Sequence, residues 1–125
     1  MTTLRGARIL VVDDDPDTLE VECAVLEQHG GHLVCVESVE AALAALKEKP
    51  ADLVISDFAM PGANGFDLIH RLRQHAEFDG IPTLMVTAQA DAALRQQALE
   101  EGFAAVLTKP VDPALLIETV ERLLS

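Results

Sequence analysis

Two patterns alternate along the chain. Short, nearly continuous apolar runs occur at Arg8–Val12, Leu33–Val36, Leu53–Ile55, Thr83–Val86 and Ala105–Leu107. Runs this short, apolar on both faces, predict strands of a parallel sheet covered on both sides. Between them lie longer amphipathic stretches. In the second of these, Val39, Ala42, Leu43 and Leu46 fall at i, i+3, i+4 and i+7, one face of a helix. Ser38 stands at its N-cap position, and Pro50 follows its end. The first helix begins with Asp15 as N-cap and Pro16 at N1, and the last repeats the device with Asp112 and Pro113. Leu19, Cys23 and Leu26 make one stripe of the first helix and Val21 and Val25 a second, which predicts broad burial; Gly30-Gly31 stops it. The third helix is predicted over Gly65–Gln74, the fourth over Asp91–Glu101 ending at Gly102, and the fifth over Pro113–Leu124.

Five strands alternating with five helices call for a doubly wound α/β sheet with right-handed crossovers. Ligands of such sheets sit beyond the carboxyl ends of the strands, where the strand order reverses. Several reactive residues fall there. Asp13 and Asp14 follow the first strand, Asp57 ends the third, Thr87 ends the fourth and Lys109 follows the fifth.

Composition narrows the setting. A chain of 125 residues, half of them hydrophobic, reads as one domain over 1–125 that can bury a real core. No apolar run approaches the roughly 18 residues of a membrane span, and "MTTLRGARIL" lacks the apolar core of a signal peptide. A soluble cytoplasmic protein is expected. A net charge of −12 argues against binding nucleic acid or an anionic membrane unaided. Cys23 and Cys35 fall in apolar segments and make no CxxC pair, so buried free thiols are expected in preference to a disulfide.

The acidic run "DDDPD" after the first strand needs explaining, because two carboxylates about 4 Å apart repel by roughly 4 kcal/mol at an effective dielectric near 20. Solvated turn residues with one helix cap are the plainest account. A calcium loop fails: its sixth and twelfth positions require Gly and Glu, and here hold Thr18 and Ala24. A magnesium site fits better, since Mg²⁺ takes one or two carboxylates beside waters and phosphate oxygens. Carboxylates, a metal, the Lys109 ammonium and the Thr87 hydroxyl together are what phosphoryl transfer needs, and one carboxylate can itself be the nucleophile.

Four pieces, "ILVVDDD", "LVISDFAMPGANGFDL", "LMVTA" and "VLTKP", span the chain in order. Together they resemble the receiver domain of two-component response regulators, the family of the chemotaxis regulator. The resemblance implies the strand order 2-1-3-4-5 of the flavodoxin-like fold. It implies that Asp57 is the phosphoacceptor, that Asp14 and Asp57 ligate Mg²⁺ through side chains and Ala59 through its carbonyl, and that Asp13 holds the ion through water. Thr87 would hydrogen-bond the phosphate and Lys109 pair with it, across a cis Lys109–Pro110 bond. Met60-Pro61, Gly62 and Gly65 would shape the loop. His29, His32, His70 and His75 lie off the site edge, and the phosphodonor His is expected on another protein.

The chain departs from the family at Val106 and Val111, where aromatic residues are common, so its readout on the face of the fourth helix, fifth strand and fifth helix should differ from a ring flip. Phe103 is nearby but is expected in the core. The resemblance implies that Ala59 and Gln89 occupy the positions that flank the path of the hydrolytic water in the family, and these residues do not reveal the phosphoryl lifetime. The expected function is a switch phosphorylated by a partner histidine kinase or phosphotransfer protein. Its output would pass through a downstream protein or self-association, as a monomer or weak homodimer. A receiver excised from a hybrid kinase is the main rival. A phosphatase of the haloacid dehalogenase type is disfavoured because Asp17 breaks its D-x-D-x-T/V motif; a receiver-shaped module that is never phosphorylated is disfavoured by the intact acceptor set.

Overall fold

The computed structural model describes residues 4–58, 66–89 and 91–125. The elements run β1 (Arg8–Val12), α1 (Pro16–Gln28), β2 (His32–Val36), α2 (Val39–Glu48), β3 (Leu53–Ser56), α3 (Asp67–Arg73), β4 (Thr83–Thr87), α4 (Ala92–Glu101), β5 (Ala105–Thr108) and α5 (Pro113–Leu124). All strand pairs are parallel, in the order β2-β1-β3-β4-β5. This is the doubly wound five-stranded sheet that the alternation predicts, in the order the resemblance implies.

Successive strand residues point to opposite faces, and the core divides accordingly. Ile9, Val11, Ile55, Leu84 and Val86 pack with Leu19 and Leu26 of α1 and Leu116, Ile117 and Val120 of α5. Leu10, Val12 and Val54 pack on the other face with Leu43 and Leu46 of α2 and Leu68 and Leu72 of α3. Met85 and Val106 join Phe66, Ile69, Ala98 and Phe103 in a third cluster, so Phe103 is a core residue. Among the described residues, no helix is long and apolar enough to cross a membrane.

The caps explain most helix starts. Asp15 accepts from the Asp17 amide with Pro16 in the first turn of α1, Ser38 accepts from the Ala41 amide, and Asp91 accepts from the Leu94 amide. Asp112 occupies the N-cap position of α5 but makes no side-chain capping bond; Pro113 alone presets that turn. The third helix starts later than expected, at Asp67 after an uncapped Phe66.

Two expectations are corrected. The second stripe of α1 is only partly buried: Val21 is 61% exposed, Val25 is half-buried against the core, and the fully buried face is Leu19, Glu22, Cys23 and Leu26. Helical spacing of 3.6 residues puts Glu22 inside the Leu19–Cys23–Leu26 stripe, whereas Val21 falls outside it. The cysteines are not free thiols either; Cys23 and Cys35 form a disulfide. The cause lies in strand order. β2 is an edge strand, so Cys35 is exposed rather than buried, and it meets the inward stripe of α1 at Cys23.

Gly102 closes α4 at φ +113, donating its amide to the carbonyl of Leu99. A Cβ there would meet Ile69 Cδ1 and Arg73 Nε at 3.4 Å, ordinary contact, so the left-handed backbone alone makes glycine necessary. Gly102→Ala is expected to cost about 1–2 kcal/mol in urea unfolding, with the m-value unchanged.

Candidate functional site

The backbone builds this site at one edge of the sheet. The Asp57 amide donates to the Val12 carbonyl at 3.0 Å, which sets the residue after β3 beside the residue after β1. The Asp13 amide donates in turn to the Val36 carbonyl of β2 at 3.1 Å. On the other side, the Lys109 amide donates to the Thr87 carbonyl at 2.9 Å, and Thr87 pairs with Thr108. Four loops therefore converge where the chain order reverses between β1 and β3, the position at which doubly wound sheets carry ligands.

Lys109 ties the side chains together. Its Nζ donates to Asp13 Oδ2 at 2.8 Å and to Asp57 Oδ2 at 3.0 Å. Asp13 is 1% exposed and Asp57 7%, so both carboxylates are taken from water and the ammonium offsets their mutual repulsion. Burial pulls the Lys109 pKa down, but the hydrogen bonds and charges of Asp13 and Asp57 outweigh it and leave it above its ordinary value. The Lys109–Pro110 peptide is cis, as the resemblance implies.

Asp14 is half-buried and joins the pair: oxygens of Asp13, Asp14 and Asp57 lie within 4.8 Å of one another. Three carboxylates with hard oxygen donors fit a small divalent cation, and one ammonium leaves this group at a net charge of −2 (−3 plus +1). Asp15 stands apart from the cluster. It caps α1 and accepts from Thr18 Oγ1 at 2.6 Å, a bond that holds its pKa below the usual carboxylate value. Thr87 is buried at the same edge, with its Oγ1 accepting from the Gln89 amide at 3.2 Å. The expected carbonyl ligand Ala59, together with Met60, Pro61, Gly62 and Gly65, lies outside the described residues.

The histidines stand away from the site in other contacts. His29 Nδ1 bonds the Val25 carbonyl, His70 pairs with Glu101, His75 stacks near Phe78, and His32 begins β2 at the opposite edge.

Sequence reading missed Glu22 and Arg95. Glu22 is 3% exposed, its Oε2 has no hydrogen-bond partner, and burial, then the charge of Asp13, raises its pKa to about 7. The signal was available: an acidic residue at the i+3 position of an apolar stripe. Arg95 of α4 donates to the Val106 carbonyl at 2.9 Å and to Thr108 Oγ1 at 2.7 Å. Nothing local in the sequence announces that reach, because it depends on α4 lying against β5.

Glu22 makes the metal-free fold pH-dependent. Unfolded, it ionises near 4.5; folded, it keeps its proton to about 7. Between those values the native state holds a proton that the unfolded chain has lost, so stability falls as pH rises from about 4.5 to 7 and then levels. Lys109, with a raised pKa, contributes its stability below about 10.4 and loses it only at higher pH, outside this window. Urea unfolding with chelator should therefore show Glu22→Gln gaining about 3 kcal/mol on the wild type between pH 4 and pH 8, at about 1.4 kcal/mol per pKa unit. A pH-independent difference would contradict the raised pKa.

Comparison with known proteins bears directly on this geometry. Residues 9–121 match the family model described as response regulator receiver domain. An uncharacterized 14.6 kDa protein in the sodA1 3' region of Leptolyngbya boryana is 42% identical over 98% of this chain and 93% of its own length. Protein PilH of Pseudomonas aeruginosa is 34% identical over 95% of this chain and 98% of its own. The crystal structure of a putative response regulator from Chloroflexus aurantiacus superposes with a TM-score of 0.90 at 34% identity, covering 95% of this chain and 98% of that one.

Proposed function

The chain belongs to the response regulator receiver family of two-component signalling, and from that premise we propose that it is a Mg²⁺-dependent switch phosphorylated on Asp57. The observation that carries this reading is the Lys109 ammonium shared between Asp13 and Asp57, with Asp14 beside them. That arrangement offsets the charge of a buried carboxylate and keeps oxygens of Asp13, Asp14 and Asp57 within 4.8 Å of one another, close enough to share a cation.

In this reading a partner histidine kinase or phosphotransfer protein presents a phosphohistidine. An Asp57 oxygen attacks phosphorus in line, the P–N bond breaks, and its electron pair returns to the imidazole, which takes up a proton. Lys109 holds the charge that develops on the phosphoryl oxygens, and the Thr87 hydroxyl turns from the Gln89 amide to donate to one of them. Asp13, Asp14 and Asp57, with the Ala59 carbonyl, would hold Mg²⁺, which supplies further neutralisation of those oxygens. The protein acts on no other substrate, and its site of action is the cytoplasm. Residues 1–125 work as one receiver domain, a monomer or weak homodimer, with output through a downstream protein and no direct contact with nucleic acid or membrane.

The readout follows from Val106, a departure from the family pattern, and from Arg95, which reaches it from α4. Val106 is buried and carries no ring to turn. Arg95 already spans from α4 to Val106 and Thr108, and Thr108 pairs with Thr87 across the sheet. Movement of Thr87 towards a phosphoryl group is then felt by α4 through Arg95, as a shift between two populations.

Incubation with acetyl phosphate and Mg²⁺ should add one phosphoryl group by intact mass, none with chelator, and none on Asp57→Asn. Equal labelling of Asp57→Asn would move the acceptor elsewhere. Arg95→Ala should keep the phosphoryl yield of the wild type but lose the phosphorylation-dependent change in amide exchange across α4. Retention of that change would exclude Arg95 as the link.

A further inference from the structure

The disulfide joins the two elements that hold Asp13. β2 holds it through the Val36 carbonyl, one residue beyond Cys35. The other element, α1, holds it through its cap: Asp13 Oδ1 accepts from the Asp15 amide at 2.9 Å, and the Asp15 carbonyl accepts from the Leu19 amide. Glu22, immediately before Cys23, feels the charges of Asp13 and Lys109. Among the described residues no side-chain hydrogen bond or ion pair joins α1 to β2, so beyond the turn between them and the apolar packing of Leu33 the disulfide is what ties the two. Its two ends differ in access. Cys23 lies in the buried stripe of α1, while Cys35 is exposed on an edge strand. Disulfides of cytosolic proteins are characteristically transient or redox-sensing, and exchange is governed by access to sulfur.

We propose that Cys23–Cys35 is a thiol–disulfide exchange site through which a dithiol reductant sets the ability of the Asp13–Asp14–Asp57 cluster to hold a divalent cation and accept phosphorus. The inference rests on the acceptor reading of Asp57 and on a cytoplasmic setting. A thiolate of the reductant bonds to Cys35 Sγ while the Cys23–Cys35 bond breaks, and the electron pair leaves on Cys23 Sγ, which takes a proton. The second thiol of the reductant then attacks the mixed disulfide and releases Cys35 as a thiol. Two electrons and two protons pass to the protein, and the reductant leaves as its own disulfide. Freed from each other, α1 and β2 hold the Asp13–Asp15 turn less firmly, and the cation site loosens with it.

The test compares the oxidised chain, the same chain in dithiothreitol, and the double variant Cys23→Ala with Cys35→Ser. Each is titrated with Mg²⁺ by calorimetry, labelled with acetyl phosphate, and followed by amide exchange at residues 13–15. Circular dichroism checks that each remains folded. The reduced chain and the double variant should bind Mg²⁺ about tenfold more weakly than the oxidised chain, the lower end of the effect of disturbing groups that orient metal ligands. They should also exchange faster at 13–15 and accept phosphorus more slowly at limiting Mg²⁺, and dithiothreitol should not affect the double variant. A disulfide that resists dithiothreitol in the folded chain would overturn the proposal. So would reduction with unchanged Mg²⁺ binding, or reduction that simply unfolds the protein. If no form accepts phosphorus on Asp57 although Mg²⁺ binding still follows the redox state, the acceptor reading fails while the coupling of disulfide to cation site stands.

Discussion

The site depends on the ammonium of Lys109 shared between Asp13 and Asp57. Two carboxylates at 1% and 7% exposure are brought together out of water at the sheet edge, and the ammonium between them offsets their repulsion and satisfies an oxygen of each. Lys109 arrives from the far strand, β5, two positions in the sheet away from β3. The cluster therefore exists only once β1, β3, β4 and β5 are in register. The Asp57–Val12 and Lys109–Thr87 backbone bonds carry that register directly into the site. Fold and chemistry are in this sense one constraint: a slip of one residue in any of these pairings turns a side chain to the other face and dissolves the cluster.

Much of this could be read in the chain because the signals are local. Asp15-Pro16, Ser38 and Asp91 announce helix starts through groups within three residues of each other, and β1 and α5 carry the bounds expected of them. The convergence of Asp13, Asp57, Thr87 and Lys109 was legible for a different reason: strand ends of a doubly wound sheet must share an edge. What failed was carrying the expected strand order and helix spacing through to the burial of individual side chains. Cys35 looks like a core residue until β2 is the edge, and Val21 looks buried until the 3.6-residue spacing of α1 is fixed against α5 and β2. Asp112 shows the converse limit. Its position was legible, but whether a side chain makes its capping bond is decided by rotamer and surroundings.

Arg95 and Val106 belong together in the same account. A valine at a buried position of β5 fills little volume and has one preferred rotamer, so it cannot carry a two-state signal by itself. The guanidinium from α4 fixes the backbone carbonyl of that residue and the hydroxyl two residues on, with geometry suited to two directed bonds. A planar fork holding a strand end is a stiffer connection than an apolar contact. With a valine rather than a ring at position 106, α4 is still connected to the Thr87–Thr108 edge of the sheet.

Glu22 is the residue that the cluster explains and ordinary packing does not. A glutamate in the buried stripe of a helix, with one oxygen unpartnered, costs stability if it ionises. Burial is the main cause of its raised pKa, and the charges of Asp13 and Asp57 add to it against the opposing charge of Lys109. A cation held by the carboxylates would remove the electrostatic part of that effect and leave burial alone. The charge state of α1 and that of the Asp13–Asp57–Lys109 edge are thus coupled through space. α1 is at once the helix capped by the acidic loop, the helix that buries Glu22 and the helix tied by Cys23 to β2. Any change in the net charge of the Asp13–Asp57–Lys109 edge must act on this helix, whichever of the three connections transmits it.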